Sequence, residues 1–119
     1  MDQAHEFNKN GVTLQKIQFR LIWEIQCQGY QLGAEPEDGF LYFVKVREEL
    51  GLGYMVSIFL KETDEKLSVS FKINGINRGD RDSLVLIYDG DKVKRVFITD
   101  YILDVIGKAC TETLPKNLM

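Results

Sequence analysis

Few residues in this chain can do acid–base or nucleophilic chemistry, and they are scattered. The one histidine, His5, stands in a polar opening segment, Met1–Asn10. A Ser-His-Asp or Cys-His pair would have to draw on it, because such a nucleophile needs a base within hydrogen-bond reach. A residue in a segment expected to fray holds no such geometry. The two cysteines, Cys27 and Cys110, belong to no CxxC pair, so neither zinc spacing nor a disulfide framework is expected. Both fall in stretches of helical periodicity and read as small buried hydrophobes. Whether a Cys27–Cys110 bridge forms is a question of geometry.

The acids offer little more. Asp80 and Asp82 precede a predicted strand and Asp89 and Asp91 follow it, which separates the pairs by roughly 20 Å at strand rise. They therefore do not make one metal site, and calcium alone would need six or more oxygens. Asp64-Glu65-Lys66 has the Asp-x-Lys of a nuclease site, but no further acid converges on it in the sequence. Gly51-Leu52-Gly53 joins two strands with no helix behind it to aim a dipole at phosphate. Arg78-Gly79-Asp80 matches an integrin-binding tripeptide too short to be specific. There is no Walker motif, no GxGxxG after a strand and no HExxH. The expectation is a non-enzyme, with no catalytic residue, metal or cofactor.

The elements that would position functional side chains are easier to read. Asn10-Gly11 breaks the chain, Thr13 caps a first helix, and Val12 can pack on Ile17 as a hydrophobic staple. Gly29 ends that helix after Gln28, and Tyr30 follows as its apolar anchor. Gln31–Gly39 reads as a loop. Period-two patterning then predicts strands over Phe40–Arg47, Tyr54–Lys61, Leu67–Asn74, Ser83–Tyr88 and Val93–Ile98. The fourth is apolar on both faces and reads as central. Asp89-Gly90-Asp91 suits a tight hairpin turn. Thr99 reads as the cap of a second helix, with Asp100 favourable to its dipole. Ile102, Val105, Ile106, Ala109 and Thr113 recur at helical spacing, and Pro115 stops it. Gly107 weakens that helix by about 1 kcal/mol relative to alanine.

The predicted fold is α+β: an N-terminal helix, a five-stranded, mostly antiparallel meander sheet and a C-terminal helix, with both helices on one sheet face. Residues 1–12 form a flexible arm and 13–115 a single domain. This order resembles that of the secretion-chaperone-like folds, which also begin with a helix and continue into strands. Those folds usually carry a helix between their third and fourth strands, where Gly75–Asp82 is short and polar.

Composition agrees with one folded domain. The 119 residues are 45% hydrophobic and 28% charged, enough apolar surface to offset the entropy of ordering. The net charge of −3 disfavours a chain-wide affinity for nucleic acid or anionic membranes. No apolar run approaches the ~20 residues of a membrane span, and the opening segment is unlike a signal peptide. The expected location is the cytoplasm.

Two surfaces carry functional information. On the first helix, Leu14, Ile17, Leu21 and Ile25 form one apolar stripe at about 100° per residue, with Ile22 at its margin. Phe19, Trp23 and Cys27 form a second stripe opposite, flanked by Lys16 and Arg20. A helix lying on a sheet needs one stripe, so the other is covered by the chain's own elements or by a partner, a second copy included. Aromatic residues and arginine are enriched at interfaces. The second surface is the outer sheet face. If Phe40, Tyr42 and Val44 pack inward with Val56, Ile58, Leu60, Leu67, Val69, Phe71 and Ile73, the alternate face carries Leu41, Phe43, Lys45, Arg47, Phe59, Lys61 and Lys72. Rings among cations are how single-stranded nucleic acid is often held. The primary expectation is a small protein-interaction protein (a homodimer, an adaptor, or an immunity-like or inhibitor-like chain). The alternatives are a binder of anionic ligands or single-stranded nucleic acid and, behind it, an enzyme of unidentified type.

Overall fold

The computed structural model describes residues 4–47, 52–76 and 84–111. Seven strands and two helices follow in the order β1 (His5–Asn8), α1 (Leu14–Cys27), β2 (Gln31–Leu32), β3 (Phe40–Arg47), β4 (Leu52–Glu62), β5 (Lys66–Ile76), β6 (Leu84–Asp89), β7 (Lys92–Phe97) and α2 (Ile98–Thr111). Five strands make an antiparallel sheet in the order β1-β5-β4-β3-β2. β6 and β7 form a separate two-stranded hairpin.

The α+β class is as expected, but the strands of the sheet are not the five read from the pattern. β1 and β2 join it as edges, while β6 and β7 stand outside. His5–Asn8 lies within the supposed flexible arm, yet it pairs with β5 and tilts the His5 ring against Phe71. At its end Lys9 is buried, donates its Nζ to Glu62 Oε2 at 2.9 Å and bonds its N–H to Glu65 O. Gln31–Leu32, read as loop, pairs with Phe43 and Val44. Arg78-Gly79-Asp80, Asp82, Gly51, Thr113 and Pro115 lie outside the described residues.

α1 begins as its sequence dictates. Thr13 is extended, with φ −77° and ψ 154°, and its Oγ1 accepts from the Lys16 N–H, which satisfies one of the donors a helix start leaves open. Gly29, at φ +90°, follows the Gln28 cap. A helix of this length is marginal alone. Leu14, Ile17, Leu21 and Ile25 hold it by burying completely or nearly so, each contributing about 1.5–3 kcal/mol on leaving water. α2 starts at Ile98, directly on the end of β7, so Thr99 lies in its first turn and not at a cap.

The core lies between the helices and one sheet face. Leu41 and Phe43 of β3, Val56, Ile58 and Leu60 of β4, and Leu67 and Val69 of β5 cluster there with both helices. The register pairs Leu41 with Ile58 and Phe43 with Val56, and directly opposed residues share a face. This reverses the expected phase of β3: Phe40, Tyr42 and Val44 face outward. β3 is apolar at nearly every position, so alternation does not reveal its phase, and a slip of one exchanges the faces.

The turn into β3 is held by a buried polar side chain. Gln18 on α1 accepts from the Gly39 N–H at 2.8 Å and donates to Glu37 O at 3.4 Å. Gly39 has φ +89°, and a Cβ there would stand 2.8 Å from the Leu60 carbonyl oxygen. We predict that Gly39→Ala lowers stability by about 1–3 kcal/mol, read as a shift of the urea midpoint at unchanged slope.

Candidate interaction surface

The rotation that buries Leu14, Ile17, Leu21 and Ile25 turns the second stripe of α1 to solvent. Phe19 is 74% exposed, Trp23 is 60% exposed and Cys27 is exposed. Lys16 beside them is exposed and Arg20 is partly buried. The stripe is therefore surface, not core. Cys27 departs from its expected burial, while Cys110 on α2 is buried, and both thiols are free. Burial pushes the Cys110 thiol pKa upward.

Trp23 and Cys27 form one wall of a groove of about 690 Å³, with β6 and α2 as the other walls. Two polar links cross it. Tyr101 Oη on α2 donates to Glu24 Oε2 on α1. Gln28 Nε2 donates to Leu86 O on β6 at 2.9 Å. Burial, and then the bond to the Glu24 carboxylate, push the Tyr101 pKa up to about 12, since both favour the neutral phenol. Asp104 and Lys108 pair at 3.1 Å on the exposed side of α2.

The hairpin supplies a surface that the sequence reading missed. Its turn has Gly90 at φ +62° in the first of two central positions, the preference of a type II′ turn. Val85 is buried and Ile87 and Val96 are partly buried against the core. The opposite face bears Leu84, Leu86, Tyr88, Val93 and Phe97, between 39% and 71% exposed. The signal was present, since β6 is apolar on both faces. Such a pattern reads as a central strand, where both faces are covered; in the hairpin only one is.

The six candidate ligand residues do not share a face. Phe43 is fully buried under the helices. Lys45 points the same way: its Nζ lies 3.1 Å from Gln28 O and 5.3 Å from the Tyr30 ring centroid. It thus supplies the cation that α1 lacks in its own last turn. The Arg47 side chain is outside the described residues. Phe59, Lys61 and Lys72 are exposed on the outer face, where the rings of Phe59 and Phe40 tilt together at 5.2 Å. Among the described residues no group of three or more His, Cys, Asp or Glu side chains converges, and no helix is long and apolar enough to cross a membrane.

No protein-family model matches the chain, and searches of curated proteins and of solved structures find no match.

Two outcomes test this geometry. In the native state a disulfide reagent titrates Cys27 rapidly and reaches Cys110 only on unfolding; equal rates for the two thiols contradict the assigned burial. Tyr101 holds its proton more tightly folded than unfolded, so its stabilising effect is complete below pH 10 and is lost as pH rises toward about 12. Stability across that window falls less steeply with pH in Tyr101→Phe than in the parent, and identical slopes would show that neither burial nor the Glu24 bond holds the phenol proton.

Proposed function

We propose that this chain is a non-enzymatic protein-interaction protein whose contact surface is centred on the Phe19/Trp23 stripe of α1. The observation that carries this reading is the exposure of both rings on a helix whose other stripe is fully spent on the core. Large aromatics in the open are costly to leave in water and are the side chains that dominate binding energetics. Arg20 and Lys16 beside them give the polar rim that interfaces use. The anionic-ligand reading has weaker support, because Phe43 and Lys45 serve the core and the end of α1.

Trp23→Glu tests the reading. Because Trp23 is exposed, the variant keeps the parent's far-UV circular dichroism and its melting temperature to within a few degrees, yet loses association. Light scattering after size exclusion reads self-association, and capture with parent and variant baits reads a different partner. A folded variant that associates as the parent does overturns the proposal; a variant that unfolds shows Trp23 to be structural and overturns it as well.

A further inference from the structure

We infer that the outer face of the β6–β7 hairpin is a self-association surface, occupied by the same face of a second copy of this chain about a two-fold axis. The inference deepens the interaction reading and rests on it, adding the occupant and the geometry.

Three observations converge. The hairpin is two strands standing apart from the main sheet, and a two-stranded ribbon needs a covered face or further strands to be stable. α2 and the core cover one face, through Val85, Ile87 and Val96. The other remains open and apolar, the kind of patch that marks an association site on a soluble chain.

The second observation is area. The five hairpin residues together with Phe19 and Trp23 expose on the order of 800 Å², taking about 150–250 Å² for a whole aromatic side chain and somewhat less for an aliphatic one. A standard interface takes about 800 Å² from each partner. The two patches adjoin, since Trp23, Leu84 and Leu86 line the same groove.

The third is pattern. The register gives the open face three rows: Leu84 opposite Phe97, Leu86 opposite Arg95, and Tyr88 opposite Val93. Each outer row holds one aromatic and one aliphatic side chain, and the single charge lies in the middle row. In an isologous interface the same patch faces itself, so that a residue i of one copy meets j of the other and j meets i. A two-fold through the middle row lays Leu84 and Phe97 of one copy on Tyr88 and Val93 of the other. Leu86 and Arg95 then each meet their own counterpart near the axis, and the two Arg95 guanidinium groups, being like charges, turn outward along the row to keep their heads in water.

The test measures molar mass by light scattering across a dilution series for the parent, for Tyr88→Lys/Phe97→Lys and for Trp23→Glu, with circular dichroism on each. The expected result is a parent of twice the chain mass and a folded hairpin variant whose dimer dissociates roughly a hundredfold more readily. A second measurement does not depend on charge insertion: Leu86→Cys, in a Cys27→Ser background, forms an intermolecular disulfide under mild oxidation, whereas Asp91→Cys at the hairpin tip does not. A monomeric parent at every concentration overturns this inference while leaving Trp23-dependent capture of another protein intact. A dimer broken by Trp23→Glu but not by the hairpin variant, or cross-linked at Asp91→Cys and not at Leu86→Cys, also overturns it. If Trp23→Glu alters no association while the hairpin variant does, the stripe lies outside the interface, and both the stripe reading and the interface area that includes it are overturned.

Discussion

The seating of Leu14, Ile17, Leu21 and Ile25 on the sheet is the constraint from which the surface of this protein follows. These side chains occupy one side of α1 and disappear from solvent, so the helix has a single rotation that satisfies the core. With that rotation set, Phe19 and Trp23 have nowhere to go but outward. The same seating brings Gln18 over the turn before β3 and Gln28 to β6. A polar turn and a separate hairpin are thereby tied to the one helix whose position the core dictates.

α2 is the second organising element. It buries side chains over a wide arc, including Ile98, Tyr101, Ile102, Val105, Ile106, Ala109 and Cys110. One part of the arc completes the core with α1 and the sheet, and another receives the inner face of the hairpin. Because β7 runs into α2 without a loop, the hairpin's direction is coupled to the helix that supports it. Its far face stays open, so the apolar character of β6 and β7 is spent half on folding and half on surface.

Several polar side chains are committed to holding this arrangement, Lys45 among the ligand candidates and Lys9 and Glu24 besides. Lys45 lies against the last carbonyl region of α1 and the ring of Tyr30. Lys9 is joined to Glu62 where β1 meets the main sheet, and Glu24 accepts from Tyr101 between the helices. Partly buried polar groups need partners, and here the partners come from distant parts of the chain.

Local chemistry alone determined the existence and type of most elements: the Thr13 cap, the Gly29 stop, the alternation of β5 and the Asp-Gly hairpin turn each contain their own instructions. It also showed that α1 carries two apolar stripes. Only the tertiary structure decided which way β3 faces, because a strand apolar on both sides has no phase until its register with β4 is set. It alone admitted His5–Asn8 and Gln31–Leu32 to the sheet, since such short edge strands are recruited by the hydrogen-bonding edges of their neighbours and not by any pattern of their own. Whether an apolar strand such as β6 ends in a core or in the open depends on what packs against it, and that is a property of the assembled chain: the energy of burial belongs to pairs of surfaces, of which the sequence lists one at a time.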